Sequence, residues 1–152
     1  AEFQAQRLQD LGSDFALKVA AAGQYSFDKL FVSEEIPLGS YPFGSGYDPA
    51  EITGEHGLAG RAELQYLTLY SDDYVNNSQL YSFYDLGKVW NEDALPGEAK
   101  HSSLVSTGLG VRSQILDDFD AGLEVAFPLT QQVAAEQAKG TRVFFNVGYR
   151  FP

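Results

Sequence analysis

The sequence predicts an all-β, antiparallel chain built like a portion of a transmembrane β-barrel with six to seven long strands. Three observations carry that prediction. Apolar and polar residues alternate with a period of two through most of the chain, as in strands with two unlike faces. The alternating segments run to 10 residues or more, whereas strands of soluble proteins average about 5–6 and tilted membrane-crossing strands need about 9–11. One of the two faces is polar and glycine-rich, with Arg61, Glu63, Gln65, Asp85, Arg112, Glu124, Asn146 and Arg150.

The elements follow in order. A weaker segment covers Glu2 to Gln9. The strand at 13–27 sets Phe15, Leu17, Val19, Ala21, Gly23 and Tyr25 against Ala16, Lys18, Ala20, Ala22 and Gln24. A loop at 37–57 separates it from the strand at 57–70, where Leu58, Gly60, Ala62, Leu64 and Tyr66 oppose Ala59, Arg61, Glu63 and Gln65. Leu80, Ser82, Tyr84, Leu86 and Trp90 then oppose Tyr81, Phe83, Asp85 and Gly87. Val105, Thr107, Leu109, Val111 and Ile115 face away from Ser106, Gly108, Gly110, Arg112 and Gln114. Ala121, Leu123, Val125 and Phe127 oppose Gly122, Glu124 and Ala126. The last segment sets Val143, Phe145, Val147, Tyr149 and Phe151 against Arg142, Phe144, Asn146, Gly148 and Arg150. The turn from Ile115 to Phe119 is short, while Asn91 to Ser102 and Thr130 to Thr141 are longer. Short turns on one rim and long loops on the other are the outer-membrane pattern. Phe15, Tyr25, Tyr66, Trp90, Phe127 and Phe151 near strand ends read as interfacial girdles. A soluble sandwich or lipocalin-like barrel also alternates, and the sequence leaves open which face is which.

Composition excludes several functions. With no Cys there is neither a disulfide framework nor a thiolate metal site. A net charge of −11 argues against nucleic acid as a partner. No apolar run reaches the ~18 residues of a membrane helix. His56 and His101 read as solvated loop histidines. Ser71 to Asn77 clusters oxygen ligands but lacks the glycine and terminal glutamate of a calcium loop. Asp117, Asp118 and Asp120 read as a hairpin turn. No catalytic or phosphate-binding constellation appears, so neither an enzyme nor a cofactor is expected. Six or seven strands do not close a barrel, whose smallest common form has about eight. The chain begins at Ala1, with no leader and no Met; it reads as a processed product, a piece of something longer, or one member of an assembly.

The motifs carry a resemblance. Gly46-Tyr47-Asp48-Pro49 with Glu51-Ile52-Thr53-Gly54, "FYDLGKVW" with Phe83, Asp85 and Gly87, "STGLGVR" from Ser106 to Arg112, and the terminal "RVFFNVGYRF" resemble the C-terminal barrel of two-partner secretion transporters. These are haemolysin- and adhesin-exporting outer-membrane proteins related to barrel-assembly channels, and the resemblance runs from about Phe3 to Phe151, with the chain, 1–152, as one barrel part. It implies that the loop inserts into the lumen and packs against the strand bearing Asp85. It also implies lumen-facing Arg61, Glu63, Arg112 and Glu124, and an assembly signal at Tyr149 and Phe151. The family carries arginine before the glycine of the loop motif, paired with the aspartate matching Asp85. Here that position is Ser45, so Asp85 is expected to protonate, hydrate or borrow Arg61 or Arg112, and the loop to be held less firmly. Pro152 follows the terminal aromatic at which the family usually ends. The implied function is a Gram-negative outer-membrane pore for an unfolded exoprotein. Its partners would be that passenger, outer-membrane lipid, the barrel-assembly machinery, and the rest of its own barrel or other subunits. The alternative is a short homolog that completes its barrel with other chains as a structural or assembly component.

Overall fold

The computed structural model describes residues 1–68, 75–92, 99–115, 118–130 and 140–150. Seven long strands form one antiparallel sheet: β1 (Glu2–Gly12), β2 (Phe15–Gln24), β5 (His56–Thr68), β6 (Val75–Trp90), β7 (His101–Ile115), β8 (Phe119–Pro128) and β9 (Arg142–Tyr149). They lie in chain order. Between β2 and β5 the chain leaves the sheet and forms a 3-10 turn (Val32–Glu34) and two short strands, β3 (Ile36–Leu38) and β4 (Ile52–Gly54), which pair only with each other.

The alternation seen in the sequence becomes an inverted protein. Ala59, Arg61, Glu63, Gln65, Tyr81, Phe83, Asp85, Leu104, Ser106 and Ala126 lie on the buried side, beneath the β2–β5 loop. Leu58, Leu64, Leu80, Tyr84, Leu86, Leu109, Leu123, Val143, Phe145 and Val147 are exposed on the other. A water-soluble sheet would do the reverse. So many exposed aliphatic and aromatic side chains on one face need a hydrocarbon neighbour.

Several boundaries differ from the sequence reading. The weak first segment is a full strand, paired with β2 along its length. The expected strand at 13–27 starts later because Ser13 and Asp14 take positive φ, with Gly12, in the tight β1–β2 turn. The segment outside the sheet begins at Tyr25 rather than 37, and three-residue strands inside it are too short to show a period. The last strand has 8 residues, fewer than the expected 10. Asp120 belongs to β8, not to the turn; it pairs with Gly148 and its carboxylate receives Arg150 Nη2 at 3.0 Å. Asp117, Phe151, Pro152 and most of the Ser71–Asn77 run lie outside the described residues.

Both histidines lie in strands rather than loops, but His101 is exposed as expected and only His56 is buried. His101 is the first residue of β7 and opposes Trp90. His56 opens β5 and is buried, with its ring stacked between Tyr25 (4.7 Å) and Trp90 (5.6 Å). Its Nδ1 accepts a hydrogen bond from the Ser26 N–H at 3.2 Å. The rim aromatics desolvate a histidine that looks loop-like in sequence. At the opposite rim Phe15 meets Tyr66 at 4.8 Å and Phe119 meets Tyr149 at 4.7 Å.

Candidate functional site

The site is built where the loop crosses the polar face. Arg61 on β5 and Asp85 on β6 stand directly opposite in the ladder, with Ser106 of β7 next in the same row. Cross-strand neighbours of opposite charge attract, and here the attraction is realised: Arg61 Nη1 lies 3.2 Å from Asp85 Oδ1. The same guanidinium reaches Glu124 on β8 at 3.2 Å and Glu63 at 3.4 Å, and lies 3.8 Å above the Phe83 ring. Planar, delocalised charge suits this mixture of carboxylates below and an aromatic face alongside.

The second arginine takes a different carboxylate. Arg112 on β7 binds Glu63 and lies 4.1 Å above the Tyr81 ring. Glu63 also accepts from Gln65 Nε2 at 2.7 Å, and Glu124 accepts from the Tyr81 hydroxyl at 2.8 Å. Gly108 and Gly110 face the same side, where a Cβ would collide with the rings of Phe83 and Tyr81. These two glycines let the rings lie flat against β7, so that Tyr81 reaches across to β8.

The loop meets this network at its tip. The backbone N–H groups of Gly44 and Ser45 donate to Asp85 Oδ2 at 3.2 and 3.0 Å, and the Ser106 hydroxyl adds a third donor at 3.1 Å. Arg61 Nη1 donates to Ser45 Oγ at 2.9 Å. Asp85 is 0% exposed and Ser45 1%, so these bonds form in a site where unmatched charge is costly. Gly46 passes so close to the wall that a Cβ would lie 2.7 Å from Pro128 N and 2.9 Å from Ser106 Cβ. Tyr47 is fully buried, and its hydroxyl donates to the Val105 carbonyl at 3.0 Å and accepts from Thr130 N–H at 3.2 Å. Asp48 bridges to Arg142 of β9 at 2.8 Å. The loop thus spans the polar face from β5 to β9.

Apolar packing holds the loop's stem. Leu38 and Ile52 from β3 and β4 join Tyr47, Ala59, Val89 and Leu104, with Ile36 and Phe43 against them. Gly87 and Gly54 permit this: a Cβ at Gly87 would meet Leu38 Cδ1 at 2.9 Å, and one at Gly54 would meet Val89 Cβ at 2.9 Å. At the stem's foot Glu55 accepts from Leu30 N–H at 3.3 Å and Glu92 N–H at 3.2 Å. Pro49 is exposed, and the Glu51 N–H closes a turn onto the Asp48 carbonyl at 3.1 Å. Beside the tip a cleft of about 430 Å³ remains between the loop and β1–β2, lined by Gln4, Gln6, Lys18, Tyr41, Arg61 and Glu63.

Asp85 therefore has a partner. Of the expected possibilities the structure takes Arg61, while Arg112 is committed to Glu63. Sequence reasoning did not single out Tyr81 or Arg142; both act through long reach across the sheet, which needs the register to be seen. Tyr149 sits at the far rim, apart from this network. Among the described residues no group of three His, Asp or Glu side chains could hold a metal ion.

An antiparallel sheet that is apolar outside, ionic inside and crossed by a pinned loop defines a class: a portion of a transmembrane β-barrel with a loop inserted on its inner side. The sheet in the structure is not closed. Residues 2–113 match the model of the family haemolysin secretion/activation protein ShlB/FhaC/HecB, and the chain belongs to that family. The matched residues take in β1 to β6, the loop and most of β7; β8 and β9 lie beyond them, so the match is shorter than the resemblance drawn from sequence. No curated protein and no solved structure matches the chain significantly.

Proposed function

We propose that this chain forms wall strands and the inserted loop of an outer-membrane pore that passes an unfolded exoprotein of the haemolysin or adhesin type. The single observation that carries the reading is the inversion of the sheet, with a network of two arginines and three carboxylates on the face that the loop covers. A polar, hydrated lining beside an apolar outer face suits a route for an extended polypeptide through a bilayer. The open edges of β1 and β9 leave ladder groups to be paired in the membrane. In this reading further strands of the same barrel, or of other subunits, complete them, and barrel-assembly machinery inserts the product by its terminal strand. The loop occupies the route, so it must yield for the passenger to move.

The test uses the full protein with any other cysteine removed, since residues 1–152 contain none. Asp48→Cys and Arg142→Cys replace the two ends of the loop–wall ion pair, whose side chains meet at 2.8 Å, and a thiol cross-linker with a cleavable disulfide joins them. Cells carrying the full protein with both changes should secrete the exoprotein under reducing conditions and stop when the pair is cross-linked. Unchanged secretion with the cross-link formed contradicts the reading. No secretion before or after cross-linking, with the protein correctly inserted, favours a structural or assembly role.

A further inference from the structure

We propose that Thr130 and Arg142, at the two ends of the connection from β8 to β9, are positioning residues that clasp the inserted loop. The loop is then released when these two ends part, and not by loss of its tip contact at Asp85. This deepens the reading of the chain as a pore wall and rests on it for its role in transport. Three successive loop residues occupy three successive parts of one seat. Gly46 passes over the end of β8, where an added Cβ would lie 2.7 Å from Pro128 N and 2.9 Å from Phe127 C. Tyr47 meets Thr130: the two hydroxyls are 3.0 Å apart, and the Thr130 N–H donates to the tyrosine oxygen at 3.2 Å. Asp48 Oδ1 lies 2.8 Å from Nη2 of Arg142, the first residue of β9.

The seat lies where β8 and β9 begin to separate. Leu129 gives its N–H to the Val105 carbonyl of β7 at 2.8 Å, so on β8 the odd-numbered N–H groups face β7 and the even-numbered ones face β9. Pro128 has no N–H to give, and the β8–β9 ladder stops at Ala126–Arg142. On the other side Thr130 Oγ1 accepts the Val105 N–H at 3.0 Å. The threonine thus stands in for a ladder carbonyl and presents its hydroxyl to Tyr47, which itself donates to the Val105 carbonyl at 3.0 Å. Arg142 shares the inward face with its partner Ala126, which is fully buried.

The clasp holds the loop more firmly than the tip does. When Gly44 and Ser45 withdraw, Asp85 keeps Arg61 and the Ser106 hydroxyl, and water replaces the two backbone donors. When Tyr47 and Asp48 withdraw, a partly buried ion pair breaks and Tyr47, 0% exposed, gives up its packing. Parting a buried charge from its partner costs more than exchanging a hydrogen bond with water. Both contacts hang on the two ends of one connection, so a single displacement of these ends loosens both.

Spin-label distances test this in the full protein, with any other cysteine removed. Labelled cysteines replace Pro49, exposed on the loop, and Leu86, exposed on the outward side of β6. The parent should give one narrow distance. Thr130→Val combined with Arg142→Gln should add a second, displaced population, several-fold larger than any that Ser45→Ala produces. Asp48→Arg combined with Arg142→Asp should return most of the protein to the parent distance, which a merely weakened fold would not do. A parent-like distribution in the Thr130→Val, Arg142→Gln protein overturns the clasp. Equal displacement by Ser45→Ala overturns it too, and so does a charge swap that lies no nearer the parent than Arg142→Gln alone. Conductance in planar bilayers separates this from the pore reading. A displaced loop without more frequent openings contradicts the pore and leaves the clasp standing.

Discussion

At the scale of single residues, Arg61 is the cation on which the buried charges converge. It faces Glu63, Asp85 and Glu124 together and also holds the Ser45 hydroxyl. Removing one side of such a network leaves buried charge uncompensated, at about 3–5 kcal/mol. Arg61→Met should therefore lower the unfolding free energy in detergent by about that amount, measured by urea denaturation. A loss under about 1 kcal/mol, the scale of an exposed pair, would show that the network is hydrated and weak. Where the resemblance implies an arginine at the loop tip the chain has Ser45, and Arg61 on the wall meets Asp85 instead. Ser45→Arg alone should then destabilise, because it brings a second guanidinium against Arg61 in a closed site. Ser45→Arg combined with Arg61→Ser should recover stability, because one cation again meets Asp85. If Ser45→Arg alone raises the melting temperature, the pairing of Asp85 with Arg61 is too weak to matter. With Arg61 and Asp85 both on the wall, Gly44 and Ser45 carry no charge of their own, and the ion pair that the loop breaks on leaving is Asp48 with Arg142. The identity of the partner was partly legible in sequence. Arg61 and Asp85 lie at equal distances from Asp73, within the polar Ser71–Asn77 run, and an antiparallel pair centred there sets them opposite. Tyr81 and Glu124 were not legible as a pair, because their contact crosses β7 over a glycine.

At the scale of elements, the two faces of β2 and of β5 to β9 were readable because a period of two admits only two assignments, whereas β1 was seen only as a weaker segment without assigned faces. What the alternation does not encode is where a strand stops. β2 begins after two non-glycine residues in the left-handed region, Ser13 and Asp14, which no hydrophobic pattern announces. The loop looks irregular because β3 and β4 have three residues each and are stabilised by packing on Val89 and Leu104 rather than by their own period. Its closest approach is at Gly46. Gly46→Ala should push the tip off Pro128 and Ser106, with a loss of about 1–3 kcal/mol from overpacking. It should also make the 39–50 segment cleavable by protease in the folded protein. Resistance equal to the parent would show that the wall can give way at Ser106.

At the scale of the whole molecule, the sequence displayed two unlike faces but not which one is covered. A soluble barrel and a membrane barrel share the same alternation, and only the loop's position decides between them. The loop covers the polar side and leaves the apolar side bare. The most direct test of the account is to ask what touches that bare side. In a Trp90→Phe background, which removes the only native tryptophan, Leu109→Trp and Phe145→Trp place a fluorophore on outward positions that are 60% and 82% exposed. Reconstituted into vesicles of lipids brominated along the acyl chain, both should be strongly quenched, while the same proteins in vesicles without bromine stay bright. Unquenched fluorescence at both positions, from a protein that stays monomeric in water without detergent, would contradict the account.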